Sequence, residues 1–363
     1  MKIPYSIPYF GGNEKKYVAD AVESTWISGG EYINRLEKWL SDNLLTKHAL
    51  VVSNGTTALH LAYLGLSIKA GDEVIVPGFA FMAAANVLLN MNAVPVFADV
   101  DRYTWCVTAD TIEQKITEKT KAIVPIHTYG TVCDMDSIMK LAVNRGIAVI
   151  EDGAEALFSR YKDKYCGTIG EIGTFSMHAT KTITTGEGGF VVCDNDDIAK
   201  LMATIRSHGL PSRGSYNHAL AGHNFRLTNM QAALGCAQIE NADKVIAERC
   251  RVYNAYKELL EDQDGIYPQE YDYDVSPVVW AVAVALDTKA FPQGRDSVVA
   301  QLKEVGVETR PGFVASSRLP YFEHHSVPIS ESLGDSVISF PTYPSLSDND
   351  IAEICDCLLS VRS

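Results

Sequence analysis

The sequence predicts an α/β protein: a mostly parallel central sheet flanked by helices, with a smaller C-terminal α+β domain. Three observations carry this expectation. From residue 49 to residue 152, short apolar runs alternate with helix-periodic segments, the pattern of a parallel sheet covered on both faces. The 363 residues exceed the ~250–300 at which a single core stops growing. After residue 265 a Tyr/Asp-rich loop breaks the alternation, and a strand, a helix and a terminal helix follow. The expected division is 1–240 for the larger domain and 241–363 for the smaller, with the N-terminal segment free to pack on the smaller one.

The elements follow in order. "ALVVS" is a strand ending at Ser53, and "TTALHLAYLGL" sets Leu59, Leu61, Ala62 and Leu66 on one helical face. "KAGDE" is a turn, "EVIVP" a strand, "FMAAANVLL" a helix and "VPVFADV" a strand. "ADTIEQKI" is a short helix opened by Asp110 or a neighbour, "KAIVPIH" a strand, 134–144 a helix, and "IAVIED" a strand ending at Asp152. "GTFSMH" and "GGFVVCD" are two short strands, the second free to run antiparallel as an edge. Residues 196–207 and 228–262 are helical, "VVWAVAVAL" is a strand, and "RDSVVAQLKEVG" and "DNDIAEICDCLLSV" are helices.

Composition narrows the function classes. Apolar residues make up 47% and charged residues 21% of the chain, as in an ordinary soluble globular protein, and the net charge of −14 disfavours non-specific binding to nucleic acid or membrane. Eight scattered cysteines with no CxxC pair read as reduced and mostly buried thiols. The first twelve residues hold no apolar core of signal-peptide length, and the longest apolar run, "PVVWAVAVAL", is about half a membrane span. The expected localisation is cytoplasmic.

In a doubly wound sheet, ligands collect beyond the carboxyl ends of the strands. After the first strand stands "SNGTT", where a helix N-terminus offers free N–H groups to a phosphate; the same residues also read as an ordinary N-cap. No Gly-Lys-Ser/Thr follows and no GxGxxG occurs, so neither a P-loop nor a dinucleotide fingerprint is present. After the second strand, Phe79 and Phe81 can stack on a planar ring or pack between helix and sheet. "AVIED" ends on Glu151 and Asp152, of which alternation points one into the layer and one to the site. Glu155 lies one turn on.

"HATKTITTGEGG" then places Lys181 among small and hydroxylated residues, with Glu187 the only other charged residue in the stretch. A lysine held in a tight loop can lose its proton and form an imine with an aldehyde. Glycines 186, 188 and 189 allow the sharp turns this needs. A phosphate cradle, a carboxylate for a pyridine nitrogen and an imine-forming lysine are the three requirements of pyridoxal 5'-phosphate. "GHNFRLTNMQAA" adds Asn224 and Arg226 ahead of a long helix, able to cap it or to reach a neighbouring subunit's phosphate. His324 and His325 have no spaced third ligand, so no metal is expected and a solvated loop is the simpler reading.

"NGTTALHLA", "PVFADVD", "VIEDGAEA", "TFSMHATKTITTGEGGFVV" and "GHNFRLTNMQAALG" resemble the DegT/DnrJ/EryC1/StrS family. These are fold-type I, pyridoxal-phosphate-dependent nucleotide-sugar aminotransferases. "TWIS", "EDGAEA" and "TITTGEGG" are most similar to its perosamine-synthase branch, which implies amination at C4 of a nucleotide-linked 4-keto-6-deoxyhexose, with L-glutamate as donor, for a surface glycan. The resemblance implies Lys181 as the cofactor lysine and proton shuttle, and Asp152 as partner of the pyridine N–H. It also implies Glu155 beside the cofactor hydroxyl, Phe81 as the stacking aromatic, and Thr56, Thr57 and Ser176 as phosphate binders. Asn224 would reach across a homodimer interface, and Trp26, Ser28, Arg226 and Arg310 would contact substrate. Lysine at 181, where a dehydratase branch carries histidine, favours transamination. The chain departs from the pattern at Thr131, Phe158, Met177 and His178. It keeps Arg310, Pro311 and Phe313 but shows Val314, Ala315 and Ser317 where the branch carries histidines. The nucleotide therefore stays open, as do C3 amination and a non-catalytic relative of the same fold.

Overall fold

The computed structural model describes residues 2–212 and 216–363. Two helices, α1 (Glu14–Glu23) and α2 (Glu31–Leu44), precede the first predicted strand, β1 (His48–Val52). Then come α3 (Gly55–Gly65), β2 (Glu73–Pro77), α4 (Ala83–Asn90), β3 (Val94–Ala98), α5 (Ala109–Glu113), β4 (Thr120–Ile123), α6 (Met135–Arg145) and β5 (Ala148–Asp152). A two-stranded excursion, β6 (Arg160–Tyr161) and β7 (Lys164–Tyr165), leads to β8 (Ile172–Ser176), β9 (Gly189–Cys193) and α7 (Asp196–Arg206).

Seven of these strands form one sheet in the order β1-β9-β8-β5-β4-β2-β3. Only β9 runs against the rest, since it pairs antiparallel with both β8 and β1. It is an interior strand, which corrects the expectation of an edge; β1 and β3 hold the edges. The reason lies in its residues: every position of "GFVVC" is buried, whereas β1 and β3 keep partly exposed positions. An unbroken apolar run fits a strand covered on both faces and flanked on both sides.

Alternation along the strands sorts the side chains into two cores. Val51, Ile75 and Val149 pack with Leu36, Leu40 and Leu44 of α2 on one face. Val52, Val74, Val76 and Ile150 pack with Leu59 and Ala62 of α3 on the other. The α2 residues recur at helical spacing, which buries one stripe of an otherwise polar helix.

The expected helix over 228–262 is two helices, α8 (Asn229–Ile239) and α9 (Ala242–Leu260). Asn241 leaves helical geometry at the junction, and the Glu240 carboxylate is drawn aside to Asn13, Tyr17 and Arg35. The chain continues through β10 (Ile266–Pro268), β11 (Val275–Ser276), β12 (Ala283–Leu286), α10 (Arg295–Glu304), β13 (Arg310–Pro311), α11 (Pro328–Ser336), β14 (Val337–Ser339) and α12 (Asp348–Ser360). Strands β10, β12, β14 and β13 make an antiparallel sheet over a third core that includes Val252, Tyr256, Leu286 and Ile354. Ile3 belongs to that core and bridges to Val307. The Asp99 carboxylate accepts the N–H groups of Ile329 and Ser330 and so caps α11, which pins the 312–330 strap against the end of β3. Among the described residues no helix is long and apolar enough to cross a membrane, all eight cysteines are free thiols, and no cluster of three or more ligating side chains is formed.

Candidate active site

The site is built at the carboxyl end of β5, where alternation separates two adjacent carboxylates. Glu151 turns into the protein layer. Its Oε1 accepts N–H groups of Ile169 and Gly170, both at 2.6 Å, and its Oε2 accepts Gly167 N–H at 2.7 Å and His127 Nε2–H at 3.0 Å. His127 Nδ1 accepts Cys133 N–H (3.3 Å), which leaves the ring hydrogen on Nε2. Burial alone pushes the Glu151 carboxyl up, but the His127 hydrogen bond and the backbone donors outweigh it and hold the group below its usual value. Glu151→Gln, which turns an amide NH₂ toward these donors, is expected to cost about 1–3 kcal/mol in urea unfolding near neutral pH. Because the folded value is depressed, this stability is present above the ordinary carboxyl range and is lost as pH falls through the folded value, so the two urea midpoints converge in acid.

Asp152 turns the other way. Its Oδ1 accepts Ala154 N–H at 3.0 Å, and its Oδ2 accepts no hydrogen bond among the described residues. Burial raises this carboxyl, against the pull of the Ala154 N–H and of Lys181. Glu155 is equally buried, accepts Tyr129 N–H at 2.8 Å through Oε2, and lies 3.9 Å from Lys181 Nζ through Oε1. It too is raised by burial, less the effects of Lys181 and the Tyr129 N–H.

The Lys181 side chain is only 14% exposed. Burial pushes its amine down, while Glu155 and Asp152 push it up and Arg249 pushes it down further; the net direction is down. A largely buried amine that holds its proton less tightly than usual, beside two buried acids, is suited to nucleophilic attack and to proton transfer. The loop that carries it is compact: Met177 N–H donates to Gly188 O, Thr185 N–H to Met177 O and Lys181 N–H to His178 O. Two of the loop glycines serve different ends. Gly186 has φ +83, the left-handed region, whereas Gly189 supplies room: a Cβ there would lie 2.6 Å from the Asn54 carbonyl carbon and from Phe175 O.

That close approach brings "SNGTT" against the end of β8. Asn54 and Thr57 form a capping box at the start of α3, so the N-cap reading of this stretch is realised and the Thr57 hydroxyl is engaged by Asn54. The N–H groups of Gly55 and Thr56 keep no acceptor among the described residues, and the Thr56 side chain is exposed. A Cβ on Gly55 would lie 2.9 Å from Ser176 Cβ, so the glycine sets the Ser176 hydroxyl beside the helix start. The donor set fits pyridoxal phosphate: free N–H groups and a hydroxyl for the phosphate, an open Asp152 oxygen for a ring N–H, and a largely buried lysine amine beside Glu155.

The remaining predicted residues divide. Phe81 is 65% exposed and meets Phe313 edge-on, while Phe79 is fully buried against Trp105 and Phe313 and serves packing. Asn224 and Arg226 run beside the end of β1, where Ser207 bridges to Asn224 and Val52 to Arg226, and Arg226 Nε donates to Asn224 Oδ1 at 3.1 Å. Trp26 and Ser28 are exposed in a segment docked on α8, with Trp26 O accepting Asn229 Nδ2 at 2.7 Å. Arg310 pairs with Glu308 and lies over the Tyr5 ring. The loop carrying His324 and His325 is solvated at Glu323 and His324, as expected, whereas His325 is half-buried, stacks on Phe97 and meets Ser316 Oγ at 2.7 Å.

Three residues at the lysine escaped the sequence reading. Trp280 presents its ring 3.7 Å from Lys181 Nζ; Tyr129 stacks between Trp280 and Phe313; and Arg249 donates to the Lys181 carbonyl at 3.4 Å. No local motif marks them, because they arrive from 50 to 100 residues away in the chain.

Comparison with known proteins shows the family and the fold. Residues 8–359 match the DegT/DnrJ/EryC1/StrS aminotransferase family. The GDP-perosamine synthase of Escherichia coli O157:H7 is 40% identical over 98% of this chain and 97% of its own length. That of Vibrio cholerae is 37% identical over 98% of each. Among solved structures, Helicobacter pylori PseC, an aminotransferase of pseudoaminic acid biosynthesis, superposes with a TM-score of 0.94 at 27% identity, covering 99% of both chains. The PLP form of the putative sugar aminotransferase Spr1654 from Streptococcus pneumoniae superposes at 0.93 and 26% identity, covering 99% of this chain and 98% of that one.

Proposed function

From the premise that this chain belongs to the DegT/DnrJ/EryC1/StrS family, and is thus a pyridoxal-phosphate-dependent sugar aminotransferase, we propose that it aminates C4 of a nucleotide-linked 4-keto-6-deoxyhexose with L-glutamate as donor. The observation that carries the reading is the buried trio Lys181, Asp152 and Glu155 at the end of β5, in a chain 40% identical to a GDP-perosamine synthase. A GDP-linked 4-keto sugar is accordingly the first substrate to try.

Each residue has a role in this reading. Lys181 would hold the cofactor through its amine, and the same amine, when free, would carry a proton at the site. Bound pyridoxal phosphate supplies an electron sink for the carbon that loses its proton. Asp152 accepts the ring N–H through its free oxygen and keeps that nitrogen protonated. Glu155, whose Oε1 lies 3.9 Å from the lysine amine, would face the cofactor hydroxyl. Gly55 and Thr56 N–H groups and the Ser176 and Thr56 hydroxyls bind phosphate, Phe81 covers the ring, and Trp26, Ser28, Arg226 and Arg310 contact the sugar nucleotide. Asn224 reaches the phosphate bound by a second copy, so the functional unit is a homodimer.

The test has two arms. Borohydride reduction of the purified holoenzyme followed by peptide mass analysis is expected to leave the cofactor on Lys181. Glutamate is expected to release 2-oxoglutarate stoichiometrically, and catalytically once a GDP-4-keto-6-deoxy sugar is added. A panel of keto sugars that yields no amino sugar, with the cofactor correctly attached, would refute the substrate class.

A further inference from the structure

Two consecutive carbonyls of the lysine loop are held from outside it. Trp280 Nε1–H donates to Thr180 O at 2.9 Å. Arg249, on α9, donates to Lys181 O at 3.4 Å. The same guanidinium donates to Trp280 O at 2.9 Å, Val279 O at 3.4 Å and Thr342 O at 3.3 Å. Arg249 is 2% exposed, its Nε has no partner, and no carboxylate pairs with it among the described residues. A buried guanidinium spent on four carbonyls is costly unless those carbonyls must be fixed.

Trp280 is the element they fix. Its ring lies parallel to Tyr129 at 6.0 Å (10°), and Tyr129 stacks on Phe313 at 5.1 Å (14°). The indole therefore touches the lysine loop twice: at the Thr180 carbonyl, and at the lysine tip, where Nζ lies 3.7 Å from the ring centroid. An indole face attracts an ammonium through its quadrupole and offers it no proton acceptor. Glu155, 3.9 Å away, limits the amine on another side.

Resting on the reading of Lys181 as the cofactor lysine, we propose that Trp280 is a positioning residue: its indole face parks the free amine of Lys181 beside Glu155, and Arg249 fixes the backbone both residues share. An amine that leaves the cofactor in every half-reaction returns from one place rather than from a range of rotamers, which saves part of the entropy of alignment.

The test uses the apoprotein, so that it does not depend on turnover. Competitive acetylation with acetic anhydride across pH, read by peptide mass analysis, gives the protonation midpoint of Lys181. The charged groups facing that amine are Glu155, Asp152 and Arg249. Replacing tryptophan by 5-fluoro- and then 5,7-difluorotryptophan weakens the face of the ring without removing it. The ammonium loses stabilisation, so the midpoint is expected to fall stepwise, and to fall by about 0.4–1.5 pH units in Trp280→Leu. A midpoint unmoved through the fluorotryptophan series overturns the proposal whether or not Trp280→Leu folds. Borohydride adducts on another lysine would instead sink the reading of Lys181 and leave the midpoint result standing.

Discussion

Lys181→Ala is expected to purify without the long-wavelength absorbance of covalently held pyridoxal phosphate and to lose roughly 10⁴-fold or more in kcat. Two contributions vanish together. On the proposed roles, the amine that would hold the cofactor is gone, and so is the group that would move the proton, so neither half-reaction is expected to proceed at a useful rate. The fold is expected to survive, because the backbone bonds of the loop do not use the side chain: Met177 to Gly188, Thr185 to Met177, and the Trp280 indole to Thr180. The change does leave Asp152 and Glu155 buried with no cation beside them. Both carboxyls already lie above their ordinary values, chiefly through burial and despite Lys181. Their stabilising, protonated state is present in full below the ordinary carboxyl values and is lost as pH rises through the folded ones. Removing the lysine raises those folded values and deepens the loss. Urea midpoints of Lys181→Ala relative to the wild type are therefore expected to worsen from acid toward neutral pH. Retained absorbance and turnover in a correctly folded variant would end the proposal for Lys181.

Much of this arrangement was legible in the sequence, because its logic is local. The alternation in "AVIED" separates a structural carboxylate from a site carboxylate, and Glu151 and Asp152 do face opposite ways. The crowding of small residues around Lys181 signals a loop, and glycines within it mark one positive φ and one close backbone approach. What could not be read is what arrives from far along the chain. Trp280, Tyr129 and Arg249 reach the lysine through tertiary packing, and nothing in "PVVWAVAVAL" or the helical text around Arg249 distinguishes them from core residues. The interior position of β9 failed for a related reason. The sequence left that strand free to reverse, but which neighbour a strand takes depends on β1, over a hundred residues earlier. The break between α8 and α9 depends on where the Glu240 carboxylate finds Arg35. Helix α2 was not among the expected elements, although Ile33, Leu36, Leu40 and Leu44 form a helical stripe of the kind periodicity identifies.

Asp152→Asn separates the electrostatic task at the ring nitrogen from attachment of the cofactor. The amide has nearly the shape of the acid, and its oxygen can still accept Ala154 N–H, so the turn after β5 is expected to hold. Lys181 is untouched, and borohydride is expected to fix the cofactor to it as in the wild type. What is lost is the negative charge that favours a protonated ring nitrogen, and with it the capacity of the ring to take up electrons from the carbon losing its proton. A fall of about 10²–10³ in kcat is expected, the scale of losing one preorganised electrostatic partner. It should appear equally in the glutamate half-reaction observed alone, because both half-reactions draw on the same ring nitrogen. Stability should move the other way. Burial raises the Asp152 carboxyl above its ordinary value, so ionising it in place costs the wild type stability as pH rises past the ordinary carboxyl range, a cost the neutral amide does not bear. The variant is thus expected to match the wild type in acid and to equal or exceed it in urea midpoint at neutral pH, while turning over far more slowly. A half-reaction within a few-fold of wild type would show that the ring nitrogen answers to some other group, and Asp152 would then be left with only its backbone bond to Ala154 to explain its burial.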